Sequence, residues 1–262
     1  TGKTSLAVAF ASKHKAEIIS ADSRQIYRGM DIGTGKDLDE YIINEAVIPY
    51  HLIDIVDAGY KYNVFEYQRD FFRIFEKLSN EGKLPVFCGG SGLYIEAALK
   101  GYNLIEVPPN NELRKSLENK SLNELISMLS SMKKLHNTTD IDTAKRAIRA
   151  IEIEIYSQKN SAKKTSVPEI KSLNFGIYFD RQKQKEKISI RLKERLENGM
   201  IEEVQQILNM GVSPDDLIYY GLEYKFVTEY IIGKLKYDEM FRLLEIAIHQ
   251  FSKRQMTWFR RM

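Results

Sequence analysis

Apolar positions change period several times along the first hundred residues, and the changes divide the chain. Leu6, Ala9 and Phe10 recur at helical spacing, predicting an amphipathic helix over residues 5–14 with these as its apolar positions. Residues 17–20 are a short apolar strand running out at Asp22, and a second strand is expected over 51–55. A helix over 64–78 follows, with Phe65, Phe72 and Phe75 among its apolar positions. Residues 85–88 read as a buried strand broken by Gly89-Gly90, with a new helix starting near Ser91. Strands alternating with helices predict a parallel sheet with helices on both faces.

The pattern then loses its strands. Leu122, Leu125, Ile126 and Leu129 mark one helix, and Ala144, Ile148, Ile151 and Ile155 another. Residues 108–164 are therefore expected to be an all-helical insertion between a core segment, 1–107, and its continuation, 165–262. Residues 161–168 are polar and read as a loop. Leu173-Asn174-Phe175-Gly176-Ile177-Tyr178-Phe179 returns to strand character, expected in the same sheet. Everything after Asp180 reads helical, ending in a long segment from Tyr237. No internal repeat is visible.

A chain of 262 residues, 43% of them hydrophobic, suffices for one large or two small cores. A net charge of +3 permits a nucleic-acid partner without demanding one. Cys88 is the single cysteine, which excludes an internal disulfide and fits a reducing cytosol. No apolar run is long enough to span a bilayer, and no secretory signal is visible. These point to a cytoplasmic protein.

Chemistry-bearing residues gather at loop positions. Gly2 lets backbone approach a phosphate, Lys3 supplies a cation, the Thr4 hydroxyl can ligate Mg²⁺, and the following helix aims its amides at the anion. A complete phosphate loop reads G-x-x-x-x-G-K-[ST] after a buried strand, so its first half is expected before Thr1. Alone, Gly2-Lys3-Thr4 is also compatible with a helix start capped by Thr1. Asp22, at the end of the next strand, lies where open parallel sheets hold their ligands. There it can bind metal, orient water, act as a base, or simply cap a turn. Residues 31–36 (Asp-Ile-Gly-Thr-Gly-Lys) and 89–94 (Gly-Gly-Ser-Gly-Leu-Tyr) are two further glycine-rich stretches whose amides can form anion nests.

Taken in order, Gly2-Lys3-Thr4, residues 20–27 (Ser-Ala-Asp-Ser-Arg-Gln-Ile-Tyr), 30–36, 51–54 and 89–94 resemble the motifs of the tRNA dimethylallyltransferases, and residues 253–260 (Lys-Arg-Gln-Met-Thr-Trp-Phe-Arg) resemble that family's closing motif. The resemblance spans nearly the whole chain. It implies an α/β fold, a P-loop NTPase-like parallel sheet flanked by helices with an all-helical insertion. It also implies transfer of a dimethylallyl group from dimethylallyl diphosphate to the exocyclic amine of the adenosine 3′-adjacent to the tRNA anticodon, with release of pyrophosphate. By position, Asp22 matches the general base, and Thr1, Gly2, Lys3, Thr4 and Arg191 the diphosphate-binding residues, Thr4 with Mg²⁺. Thr4 and Arg191 join Asp22 as the catalytic set. Asp22, Ser23, Arg24 and Gln25 match the stretch that reads the flipped adenine. Ser91, Arg114, the run Lys145-Arg146-Ala147-Ile148-Arg149, and Lys253, Arg254 and Arg260 match tRNA-contacting positions. The implied partners are the tRNA anticodon stem-loop and dimethylallyl diphosphate, with no membrane and a monomeric enzyme.

Two departures stand out: Gly35 occupies a position where many relatives have Ala, and Glu223 falls in a stretch that often carries a basic residue. Trp258 and Phe259 can stack on bases or pack in the core. Three rival readings are an ATP-using small-molecule phosphotransferase on the same core, an adenylate isopentenyltransferase acting on free nucleotides, and a non-catalytic RNA-binding protein.

Overall fold

In the computed structural model, which describes residues 2–135, 141–160 and 167–261, the chain forms two compact units: Thr1–Tyr102 with Pro168–Met262, and Asn103–Val167. The second is slightly wider than the insertion expected over 108–164.

The larger unit opens with helix α1 (Lys3–His14), entered through Gly2 at φ 70°. Strand β1 (Glu17–Ala21) follows, buried at all its positions. A run of buried residues suits a strand covered on both faces. A short 3₁₀ turn (Leu38–Tyr41) leads into a small hairpin of β2 (Ile42–Ile43) and β3 (Ala46–Val47), turned by Asn44 and Glu45 at positive φ. Then come β4 (Tyr50–His51), α2 (Val64–Asn80), β5 (Pro85–Gly89) and α3 (Gly92–Leu99). The three long-range strands are parallel in the order β4-β1-β5, so β1 is central. Asn63 and Glu66 form a reciprocal capping box that starts α2.

Three expectations are corrected here. α1 buries Ala7, Val8 and Ala11, while Leu6 and Phe10 remain exposed. Small side chains let this helix approach the sheet closely, so the larger apolar residues form the outer face. The strand expected over 51–55 stops at His51, because Leu52 and Asp54 adopt left-handed backbone at φ 61° and 54°. That turn carries the Asp54 side chain toward Lys36. Residues 173–179 form no strand: the sheet's edges are β4 and β5, the segment pairs with neither, and Leu173, Phe175 and Tyr178 are exposed. A period of two makes a strand only where an open edge accepts its hydrogen bonds. Of the polar loop expected at 161–168, residues 161–166 lie outside the described residues.

After Asp180, which caps it by accepting from the Lys183 amide, α7 (Arg181–Glu197) begins a helical series: α8 (Met200–Asn209), α9 (Pro214–Tyr219), α10 (Leu222–Ile231) and the long α11 (Tyr237–Phe259). To number in chain order, the smaller unit supplies α4 (Asn111–Leu117), α5 (Leu122–Met132) and α6 (Ala144–Asn160). Its own core is Leu117, Leu125, Leu129, Ala147, Ala150 and Ile151. No helix among the described residues is long and apolar enough to cross a membrane.

Candidate active site at the carboxyl end of the central strand

Asp22 follows the last residue of β1 and is half-buried. Its Oδ1 accepts from the Arg24 amide at 2.9 Å, so the carboxylate does cap its own turn. Its other oxygen has no hydrogen-bond partner among the described residues. The turn-capping and chemical readings are therefore compatible, since the cap fixes where the carboxylate points. Ser23 donates its amide to Ser91 Oγ at 2.9 Å, and the two hydroxyls are 3.1 Å apart. Ser91 and Gly90 in turn donate their amides to the Ala21 carbonyl. A side chain at Gly89 would collide with the Ala21 backbone, so β5 can lie this close to β1 only with glycine there.

Gln25 ties the first loop to the second. Its Nε2 donates to the Gly35 carbonyl at 3.0 Å, and its Oε1 accepts from Ser20 Oγ at 3.4 Å. The second loop is built around two internal charges. Glu203 on α8 accepts from the amides of Asp31, Ile32 and Gly33 at 2.8, 2.7 and 3.0 Å, and from the Tyr224 hydroxyl at 2.6 Å. Successive amides do form a nest here, but it holds the protein's own carboxylate rather than a ligand. From the other side, the fully buried Lys36 side chain donates to the Tyr27 carbonyl and to the carboxylates of Asp31 and Asp54. Neither charge was foreseeable as a site residue, since Glu203 is remote in sequence and Lys36 reads as an ordinary loop lysine.

Lys3 heads α1 beside this turn. Burial lowers its pKa, opposed by Asp22 and Cys88, while Arg191 lowers it further. Asp22 and Arg191 thus both lie within electrostatic reach of Lys3. Thr4 is the next residue of α1 and is half-buried. Arg191 on α7 pairs with Asp37 at 3.2 Å. One helical turn on, Arg195 approaches the Gly33 carbonyl at 3.3 Å and Glu223 at 3.5 Å. Burial raises the pKa of Glu223, with Arg195 and Arg191 opposing and Asp22 adding to the rise. The structure therefore gathers Lys3, Asp22, Arg191, Ser23, Gln25 and Ser91 and adds Arg195 and Glu223. Thr1 lies outside the described residues.

The third glycine loop is covered by the end of α11. Gln255 Nε2 donates to the Gly90 carbonyl at 2.6 Å, and the Trp258 ring lies where a Gly92 side chain would be. Trp258 therefore packs on the protein. Lys253, Arg254 and Arg260 are exposed.

In the smaller unit, Glu152 is 2% exposed and gathers the basic residues expected to contact tRNA. It accepts from Arg114 Nε and Nη2 at 3.0 and 2.8 Å, from the Asn110 amide, and from Arg149, whose Nη2 also donates to the Val107 carbonyl. Burial raises the Glu152 pKa, but these donors outweigh it and the net shift is downward. Both arginines keep about two-fifths of their side chains exposed. Arg146 is exposed and pairs with Asp142. Ala147 is corrected as a contact: it is wholly buried in the unit's core, and Ile148 packs against that core. Lys145, Arg146 and Arg149 are left to carry that stretch.

No group of three or more His, Cys, Asp or Glu side chains that could hold a metal occurs among the described residues. The model of the IPP transferase family matches residues 25–262. A tRNA dimethylallyltransferase 2 of Bacteroides fragilis is 63% identical over 262 residues, spanning all of this chain and 86% of that protein. A tRNA dimethylallyltransferase 1 of Parabacteroides distasonis is 62% identical, spanning all of this chain and 85% of that protein. The crystal structure of a tRNA isopentenylpyrophosphate transferase from Bacillus halodurans superposes with a TM-score of 0.67 at 29% identity, covering 100% of this chain and 84% of that one.

Proposed function

The chain belongs to the IPP transferase family and is a prenyl-transferring enzyme; from that premise we propose that it transfers a dimethylallyl group from dimethylallyl diphosphate to the exocyclic amine of the adenosine 3′-adjacent to a tRNA anticodon, releasing pyrophosphate. The observation that carries the reading is the Asp22 carboxylate, aimed by its own turn at the carboxyl end of β1 and within the field of Lys3, which also feels Arg191. A base and two cations gathered at one site suit removal of a proton and departure of an anion.

The amine lone pair forms the new C–N bond to C1 of the prenyl group. The C1–O bond breaks, and its electron pair leaves with pyrophosphate. The exocyclic amine is a weak nucleophile because its lone pair is delocalised into the ring. Asp22 takes the amine proton as the bond forms, a contribution worth about 10²–10⁴-fold in rate. Gly2, Lys3 and Arg191 take up the charge gathering on the leaving group. The Thr4 hydroxyl is a hard oxygen donor that would hold Mg²⁺ together with diphosphate oxygens. When bound, the ion neutralises diphosphate charge. Ser23, Arg24, Gln25 and Ser91 would receive the flipped adenine, because a stacked base cannot present its amine to a recessed electrophile. Arg114, Lys145, Arg146, Arg149, Lys253, Arg254 and Arg260 would meet tRNA phosphates.

The test is transfer of label from radiolabelled dimethylallyl diphosphate to unmodified tRNA, run beside AMP as acceptor and beside ATP hydrolysis. Label is expected in tRNA. Equal efficiency with AMP would establish the free-nucleotide reading instead, and ATP hydrolysis without transfer would sink the proposal.

A further inference from the structure

Residues 253–261 present two faces. Lys253, Arg254, Thr257, Arg260 and Arg261 are exposed, whereas Gln255, Trp258 and Phe259 are half-buried, spaced three and four apart as one helix face. The basic face is assigned to RNA above, and the other face is left unused by that reaction. Gln255 and Trp258 are turned to the third glycine loop. Gln255 Nε2 donates to the carbonyl of Gly90, a buried residue, at 2.6 Å. The five-membered ring of Trp258 lies only 2.6–2.7 Å from where a Gly92 Cβ would stand. That ring is rigid, so α11 can seat here only against glycine. Gly90 is flanked in turn by the Gln255 amide, with the Lys3 side chain behind it.

The loop gripped in this way is the one that fixes the turn carrying the base. Its Gly90 and Ser91 amides anchor it to the Ala21 carbonyl at 3.2 and 3.0 Å. Ser91 Oγ then accepts from the Ser23 amide at 2.9 Å, one residue from Asp22. Asp22 aims its carboxylate by accepting from the Arg24 amide within that same turn. A continuous set of contacts thus runs from α11 through residues 90–91 to Asp22. A glycine-rich loop has many backbone conformations open to it, so its shape must be imposed by its neighbours. Strand β1 does this from the sheet, and Gln255 and Trp258 do it from α11. A ring seated on Gly92 is not presented to an RNA base.

We propose that Gln255 and Trp258 are positioning residues: they hold the third glycine loop and, through Ser91, the turn that aims Asp22. The closing stretch then divides its work, with Lys253, Arg254 and Arg260 meeting RNA while Gln255 and Trp258 keep the base in place. This rests on the reading of Asp22 as the base for prenyl transfer to tRNA.

The test uses the full chain with tRNA, dimethylallyl diphosphate and Mg²⁺. Gln255→Met keeps the side-chain length and loses the donor. It is expected to slow single-turnover transfer at saturating tRNA about tenfold or more. Its tRNA affinity should stay within about twofold of the parent, with an unchanged salt slope. Arg254→Gln, on the other face, should weaken tRNA binding and lower that slope by about 1. Hydrogen exchange of the Ser23 amide, followed without substrates, should be about tenfold or more faster in Gln255→Met. Combined with Ser91→Ala, Gln255→Met should slow transfer by less than the product of the two single losses, because both cut one linkage. Trp258 is the only tryptophan, so its emission reads the packing directly. Gly92→Ala pushes the ring outward and should shift that emission to the red and slow transfer; unchanged emission would remove Trp258 from the proposal. Should Gly92→Ala not fold, Trp258→Phe takes its place, and a parental transfer rate there would have the same force. Should Gln255→Met not fold, Gln255→Glu, which turns an oxygen to the Gly90 carbonyl, is held to the same expectations. Transfer and Ser23 exchange both within about twofold of the parent, or a loss confined to tRNA affinity, overturns the proposal. So does a lower melting temperature with transfer and exchange unchanged, which would make Gln255 merely structural. If the parent transfers no prenyl group, the proposed reaction falls, and exchange and emission alone decide whether α11 holds the turn.

Discussion

Glu203 offers the sharpest test of how the second glycine loop is held. In Glu203→Ala, the amides of Ile32 and Gly33, which are half-buried and buried, lose their acceptor, as does the Tyr224 hydroxyl. The Asp31 amide is at an exposed position, so water can replace its bond. Each stranded donor away from solvent costs about 1–2 kcal/mol, giving roughly 3 kcal/mol for the three after partial rehydration. For a unit of this size that lowers the melting temperature by roughly 6–12 °C. Glu203→Gln keeps one acceptor oxygen but turns an amide donor toward donors, so it should lie between parent and alanine. Thermal melts followed by circular dichroism, with urea midpoints, make the measurement. Because Gln25 hangs from the Gly35 carbonyl of the same loop, the transfer rate should fall as well. A loss under about 0.5 kcal/mol for Glu203→Ala would show that the nest does not need its carboxylate.

Lys36→Met leaves the Asp31 and Asp54 carboxylates facing an apolar side chain and should cost about 3 kcal/mol by urea denaturation; under 1 kcal/mol would contradict a structural role for the buried amine. Glu152 has a folded pKa below its ordinary 4.5, so its contribution is present above that pH and is lost as pH falls through the folded value; urea midpoints of the parent should drop on the acid side of pH 4.5 more steeply than those of Glu152→Gln. Tyr67 and Tyr224 are buried with pKa values raised by burial, so stability should fall as pH rises past 10, and substituting either by Phe should soften that fall; equal slopes would contradict it. Arg149→Gln should weaken tRNA binding and lower the salt slope by about 1, and an unchanged slope would remove that contact.

What could be read from the sequence was whatever is local. The helices expected from residue 64 and after Asp180 do begin there, where the side chains of Asn63 and Asp180 accept from amides two or three residues on. β1 and β5 follow from short apolar runs, and the loop after β5 from glycines, of which Gly89 is demanded by close approach to β1. What escaped was set by distant partners. Nothing near Glu203 in the chain announces a nest lying 170 or more residues away. Hydrophobicity alone favours Leu6 and Phe10 for the inward face of α1, whereas close packing on the sheet selects Ala7, Val8 and Ala11. The run at 173–179 has the period of a strand but pairs with neither edge of the sheet. The approach of Arg195 to Gly35 and to Glu223 likewise joins residues that are remote in the chain.

Asp22→Asn is the most direct test of the reaction assigned to this site. Asparagine keeps an oxygen for the Arg24 amide, so the turn survives while the proton acceptor is lost. Single-turnover transfer from dimethylallyl diphosphate to tRNA is predicted to slow by about 10²-fold or more, with tRNA affinity within about twofold of the parent. Transfer at nearly the parental rate, or a defect confined to tRNA affinity, would contradict Asp22 as the base.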